Sequence, residues 1–300
     1  MKLTAEQHAH YEQHGYVVVS GGLEASDIEP VIRDYNAFID AEARRLHDAG
    51  SLTNTFADEP FDRRLARICE EDASIYGQID LMHCRLRGVF DFLRNERLLD
   101  LVEGIVGPEI TCSPIQHTRA KLPAEVTPEG SDPHVAPWHQ DSGVTWDEAD
   151  PHFILTIWLP LTPARPENGC LQIIPRAHGG GMRQHHIKHG LGTVILDDEM
   201  PEQEPLTLPM DKGDVLLMHK QTPHRSTANN ADVVRWSMDL RYQRTGTPTG
   251  RPYNPDFVAR SRSNPSSEFR DYDEWCRLWV EALKEIKGKA IKGHRWAVVK

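Results

Sequence analysis

Arg235-Trp236-Ser237-Met238-Asp239-Leu240-Arg241-Tyr242 alternates polar and apolar residues without a break. Successive side chains of a β-strand point to opposite faces, so this octet reads as a strand with two unlike sides. Arg235, Ser237, Asp239 and Arg241 share one face; Trp236, Met238, Leu240 and Tyr242 share the other. The apolar side can pack on helices, whereas a side with two arginines and an aspartate lines a site. Outward from the octet, residues 109–243 break into short strand-like runs at 110–122, 153–161, 169–174, 205–208, 214–218 and 233–242. Pro, Gly and Asn separate them. Many short strands with turn signals between them predict a β-sandwich or jelly roll.

Helices flank this core. Residues 4–14 read as a short helix with Thr4 as N-cap and Gly15 as stop, followed by a buried strand at 16–19. Residues 26–49 are helical, capped by Ser26 or Asp27, with Glu29 and Pro30 in the first turn and Gly50 at the end. Further helices are expected at 98–106 and 267–287. The chain therefore divides into a mainly helical part (1–108), a β core (109–243) and an extension with a helix (244–300), within one domain. Residues 51–90, with Phe56, Phe61 and arginines 63, 64 and 67, read as a lid or as a solvated helix face. The surface preference of charge favours the second.

Composition excludes several function classes. Asp and Glu number 45 against 34 Lys and Arg, a net charge of −11, so non-specific binding to nucleic acid or an anionic membrane is not expected. Five cysteines at 69, 84, 112, 170 and 276 form no C-x-x-C pair, which argues against a disulfide framework or a thiolate zinc site. The first residues lack the apolar stretch of a signal peptide, and no run approaches the length of a membrane span. A cytoplasmic protein is expected.

The chemistry-bearing residues are His139-Gln140-Asp141, His224, and Arg235 eleven positions beyond it. On a strand, His139 and Asp141 would project from one face and grip one ion, with His224 reaching in from a second strand. Two imidazoles and a carboxylate hold a metal on one side and leave the other open. H-x-D alone is weak among 16 histidines. Context strengthens it: Pro137-Trp138 precede the pair, and Asp211-Lys212-Gly213-Asp214 reads as a turn feeding the apolar strand that leads to His224. His219 competes with His224 as distal ligand. His178, His185, His186 and His189 surround three glycines without a recognised zinc spacing, and a solvated loop is the preferred reading.

The chain resembles the phytanoyl-CoA dioxygenase family of Fe(II)/2-oxoglutarate oxygenases. The residues that carry the likeness are Trp138-His139-Gln140-Asp141, Asn168-Gly169-Cys170-Leu171 with Ile174-Pro175-Arg176-Ala177-His178, Lys212-Gly213-Asp214, His224-Arg225-Ser226 and Arg235. Gly15-Tyr16-Val17-Val18-Val19 after an opening helix is also typical. Arg176-Ala177 departs from the Gly-Ser common in the family, a change in a turn. The resemblance implies a double-stranded β-helix (cupin-like) core and Fe(II) on His139, Asp141 and His224. It further implies 2-oxoglutarate anchored by Arg235 and Ser226, with Gln116, Thr156 and Trp158 lining its pocket. O2 is the second co-substrate, and a small molecule is hydroxylated while succinate and carbon dioxide leave; desaturation or ring formation can follow the same start. The carboxylate at Asp141 counts against halogenation, which needs a small residue there. The interval to Arg235 favours His224 over His219. Trp146, Asp239, Arg241, Arg119 and Lys121 are the candidate substrate contacts. Two other readings stay open: a zinc hydrolase, since the same ligand set holds Zn²⁺, and a cupin-like binding protein without turnover.

Overall fold

The computed structural model describes residues 2–126, 135–188, 192–287 and 295–299. The chain opens with α1 (Ala5–His14), β1 (Tyr16–Val19) and α2 (Ala25–Asp48), then α3 (Phe61–Glu71), α4 (Arg87–Phe92) and α5 (Glu96–Val106). The β core follows: β2 (Glu109–Cys112), β3 (His117–Lys121), β4 (Ile154–Pro160), β5 (Leu171–Ile173), β6 (His185–Lys188), β7 (Gly192–Ile195), β8 (Leu206–Leu208), β9 (Val215–His219), β10 (His224–Ser226), β11 (Arg235–Arg244) and β12 (Phe257–Ser261). Last come α6 (Tyr272–Lys287) and β13 (Val298–Val299).

Local chemistry explains the helix ends. Thr4 and Gln7 form a reciprocal capping box at the start of α1, and Gly15 takes the left-handed conformation that ends it. In α2 the cap is Glu24, not Ser26 or Asp27: Asp27 reaches back to the Glu24 N–H, the other half of a capping box. Its buried residues Ile28, Val31, Ile32, Tyr35, Ile39, Ala43 and Leu46 recur at three- and four-residue steps, the apolar stripe of an amphipathic helix.

The main sheet runs β1-β9-β4-β11-β2-β12, with β3 also paired to β11, and every pairing in it is antiparallel. β11 is long enough to pair β3 with its first half and β2 with its second while lying along β4. The predicted run 110–122 is thus two strands, because both edges of that run meet successive parts of one partner. A minor antiparallel sheet, β10-β5-β8, is separate. The result is a mostly antiparallel jelly roll without a closed barrel. Trp236 is fully buried on the helix-facing side, its ring stacked 4.7 Å from Phe61 and tilted against Tyr35 at 5.4 Å.

That contact corrects the expectation for 51–90. Helix α3 is amphipathic, with Leu65, Ala66, Ile68 and Cys69 buried. Arg64 is buried as well, donating to Asp40 at 2.8 Å and to the Thr55 carbonyl. Only Arg63 and Arg67 behave as surface charges. The turn at Gly213 ties the sheet to the N-terminal segment. Its φ is +103°, a Cβ there would sit 2.9 Å from the Leu23 carbonyl, and Asp214 accepts from the Gly21 N–H. The five cysteines are free. No described helix is long and apolar enough to cross a membrane.

Candidate metal centre and its cavity

Cross-strand register assembles the polar face of β11. Arg235 lies opposite Lys121 and Ser237 opposite Arg119 on β3, while Asp239 pairs Trp158 and Arg241 pairs Thr156 on β4. Opposed residues share a face. His139 comes from the other side, joined to His224 by two backbone hydrogen bonds of 3.1 and 3.0 Å. His139 and Asp141 do not occupy adjacent pleats of a strand as expected. His139 forms an isolated bridge, Gln140 is extended, and Asp141 begins a 3-10 turn over Asp141–Val144.

The three side chains converge regardless. Ligand atoms of His139, Asp141 and His224 all lie within 4.8 Å of one another, and among the described residues no other group of three is so placed. Each imidazole Nε2 is 4.0 Å from an Asp141 oxygen. His139 Nδ1 donates to the Pro137 carbonyl at 2.7 Å and His224 Nδ1 to the Thr222 carbonyl at 3.0 Å. Anchoring Nδ1–H on a carbonyl leaves the Nε2 lone pair aimed at the gap, the orientation a metal-binding histidine needs. Burial and the neighbouring His224 ring push the His139 imidazole down to about 4, so it is neutral and able to ligate at neutral pH.

Asp141 is held before any ion arrives. Arg241 donates to Oδ1 at 2.6 Å, and the Thr156 hydroxyl donates to Oδ2. Burial alone would raise this carboxyl, but Arg241 and the two histidines outweigh it and hold it well below the usual carboxylate range. Arg241 continues to Asp239 at 3.2 Å, and Asp239 to half-exposed Arg119 at 3.7 Å. The Gln116 amide brackets the Arg241 backbone: Nε2 donates to the Arg241 carbonyl at 2.7 Å and Oε1 accepts from its N–H at 3.2 Å.

Beside the triad is a cavity of about 540 Å³. Arg235, Ser226, Lys121, Trp158, Leu171 and Met218 line it together with the two histidines of the triad. Tyr76, Asp80, Met82 and His83 also line it, so residues from the 51–90 region form part of its wall, beside Arg119, Val144 and Asp239. Arg235 is 3% exposed and lies over the Trp158 ring at 5.4 Å, with one hydrogen bond to Ser237. Its Nε has no partner, and no carboxylate among the described residues pairs with it. Burial, then Arg119, pull this guanidinium down to about 10. Lys121 Nζ donates to Ser226 Oγ at 2.9 Å and to the Thr227 carbonyl. Gly169 permits that approach: its φ is +86°, and a Cβ would meet Lys121 at 2.4 Å.

The candidate residues thus separate. Ser226, Trp158, Arg235, Lys121, Arg119 and Asp239 all line the cavity. Thr156, Arg241 and Gln116 stand behind the triad instead of on the cavity wall. Trp146 is also off the wall, its ring 5.7 Å from Tyr253; Val144 is there instead. The contribution of Tyr76 and Asp80 was not read from sequence, since nothing local distinguishes them from the surrounding helical stretch.

His219 lies against Phe153 and His178, and its Nδ1 accepts from the Gln221 N–H. His185 Nε2 accepts from the Gln140 N–H at 3.2 Å, its Nδ1 donating to the Arg183 carbonyl. His189 lies outside the described residues. Burial pushes both His185 and His219 down to about 4, and protonation would cost each its acceptor role. Once unfolded, both titrate near 6.5, so between about pH 4 and 6.5 the unfolded chain binds more protons. Stability should therefore be flat above pH 6.5 and fall as pH drops toward 4, by about 2 kcal/mol per histidine after allowance for solvent contact. Thermal unfolding of metal-free protein at pH 7, 6 and 5 checks this, and His219→Gln should flatten the slope.

Residues 11–237 match the sequence model of the family Phytanoyl-CoA dioxygenase (PhyH). A phytanoyl-CoA dioxygenase domain-containing protein 1 from Danio rerio is 28% identical over 137 residues, 44% of this chain and 43% of that protein. The aligned part thus spans less than half of that relative. Among solved structures, the non-heme monooxygenase ThoJ in its apo form superposes with a TM-score of 0.64 at 15% identity, over 94% of this chain and 96% of that one. The epimerase SnoN, solved with Fe3+, alpha ketoglutarate and nogalamycin RO, gives 0.54 at 22% identity over 82% and 86%.

Proposed function

Because the chain belongs to the phytanoyl-CoA dioxygenase family, we propose that it is an Fe(II)- and 2-oxoglutarate-dependent oxygenase that hydroxylates a C–H bond of a small organic molecule. The observation that carries this reading is the pairing of two features in one cavity. The His139–Asp141–His224 cluster is a donor set suited to a ferrous ion. The buried Arg235 guanidinium beside it has an unpartnered Nε and pairs with no carboxylate among the described residues. A buried cation without a counter-charge is costly, and a ligand carboxylate is the natural complement.

His139, Asp141 and His224 would hold the iron, which when bound supplies oxidative decarboxylation of the keto acid and oxidation of the substrate. Arg235 and Ser226 would receive the far carboxylate of 2-oxoglutarate, with the Trp158 ring as a floor that keeps the guanidinium flat. Thr156 and Arg241 orient the Asp141 carboxylate, and the apolar side chains of Leu171 and Met218 on the cavity wall would help to exclude water. Tyr76, Asp80, Arg119 and Asp239 would face the substrate. A zinc hydrolase would use the triad but has no task for Arg235.

The test is anaerobic addition of Fe(II) and 2-oxoglutarate to metal-free protein. A weak visible charge-transfer band is expected, to be diminished in Asp141→Ala. Absence of the band in the parent protein, with iron bound, would sink the reading.

A further inference from the structure

Asp141 differs from the other two members of the triad in what carries it. His139 and His224 are locked to each other by a backbone bridge, whereas Asp141 opens a 3-10 turn and a loop that reaches β4 only at Ile154. A ligand borne on a loop needs support from outside the loop to hold ångström-level geometry. Thr156 supports the carboxylate and Lys220 the loop carbonyls at Asp150 and His152; further support comes from chain beyond residue 237, where the family match ends.

Arg295 makes a two-pronged ion pair with Asp150, both N–H···O distances 2.7 Å, and its Nε lies 3.2 Å from Asp147. It also donates to the Thr145 carbonyl at 3.3 Å. Only 12% of this side chain meets solvent, so the pair is less screened than an ordinary surface bridge. Next to it, Trp296 Nε1 donates to the Gly143 carbonyl at 2.7 Å. The Trp296 ring lies 5.2 Å from the ring of His185, whose Nε2 accepts from Gln140, the residue between two members of the triad. Gly143 must lack a side chain for this packing, since a Cβ there would approach His185 Nε2 to 2.9 Å. Arg295 in turn lies over the Trp296 ring at 4.9 Å. The tail is held in register by the Ile187 N–H donating to the Ala297 carbonyl and by β13 running parallel to β6.

We propose that Arg295 and Trp296 are positioning residues for the metal centre: the C-terminal tail clasps the 141–150 loop and fixes both Asp141 and the cavity wall at Val144. This rests on the metal-site reading above. Neither residue touches the triad; each acts through the loop backbone and through His185.

The experiment compares full-length Arg295→Ala, Arg295→Lys and Trp296→Phe with the parent, all metal-free at the start. Amide hydrogen exchange is read at Gly143, Trp146 and Ala149, whose N–H groups donate to the carbonyls of Gln140, Gly250 and Trp146. In Arg295→Ala these amides should exchange about tenfold faster, with β4 and β11 unchanged, as expected for loss of a paired charge-assisted contact. Cobalt(II) titration should show the dissociation constant raised roughly three- to tenfold, with Arg295→Lys intermediate because it keeps charge but not the fork. Trp296→Phe, which keeps a ring and loses the donor, should shift both readouts in the same direction by less. Unchanged exchange in Arg295→Ala would overturn the proposal. Faster exchange with an unaltered cobalt(II) constant would overturn it too, leaving the tail as a brace with no bearing on the ligand. Failure of the parent itself to bind cobalt(II) would instead sink the metal-site reading, and the positioning role with it.

Discussion

Arg235→Met should raise the dissociation constant for 2-oxoglutarate about a hundredfold or more, measured anaerobically with iron present, while leaving the metal-free protein as stable as before or more so. The first half follows from geometry: the guanidinium fork would make two charge-assisted hydrogen bonds to a carboxylate, worth about 3 kcal/mol together. The second follows from what Arg235 lacks. It is buried, its Nε is orphaned, and no carboxylate among the described residues pairs with it, so only the Ser237 hydroxyl and the Trp158 ring offset its desolvation. Methionine matches the stem in shape and keeps a favourable contact on the Trp158 ring. Arg235→Lys should fall between, at roughly tenfold, because it retains charge and loses the fork. An unchanged affinity, or a melting temperature several degrees lower, would show that Arg235 is a structural residue.

That contrast explains which parts of the site were legible in the sequence. The alternation of 235–242 placed Arg235, Asp239 and Arg241 on one face, and β11 presents Trp236, Met238, Leu240 and Tyr242 to the core. Thr156 and Trp158 stand two apart on β4 and share a face, opposite Arg241 and Asp239, because i and i+2 periodicity is local. Their partners were not legible. The Thr156 hydroxyl meets Asp141, and Arg241 reaches Asp141 from a hundred residues away; both contacts depend on register between strands, which alternation alone does not specify. For the same reason Gln116 was expected in the co-substrate pocket but is spent on the Arg241 backbone. Helix α3 was obscured by its arginines: Arg64 snorkels to Asp40 across an interface that only tertiary packing creates. The tail at Arg295 and Trp296 gave no signal, because two residues that act by gripping a distant loop leave no periodic pattern.

Asp141→Asn should weaken metal binding at least a hundredfold and also cost the metal-free protein about 2–4 kcal/mol of stability. Clustered metal ligands are commonly strained without their ion, so removing one often stabilises the empty fold. The opposite is expected here because the carboxylate is already a structural anion. Arg241 and Thr156 each donate to one of its oxygens. An asparagine could turn its oxygen to Arg241 and its NH2 to the Thr156 hydroxyl, which can accept, so what is lost is the charge and not the count of hydrogen bonds. Arg241 would be left with Asp239 at 3.2 Å as its one close anion among the described residues, a buried cation with half its counter-charge gone. His224→Gln provides the comparison, since His224 Nε2 stands 4.0 Å from the carboxylate and makes no hydrogen bond to it; its effect on metal-free stability should be smaller, though metal binding is lost as well. Chemical denaturation of the two variants without metal, beside cobalt(II) titration of each, separates the contributions. If Asp141→Asn proved as stable as the parent, Arg241 would not be orienting the carboxylate, and a site organised ahead of its ion would give way to one that the ion itself assembles.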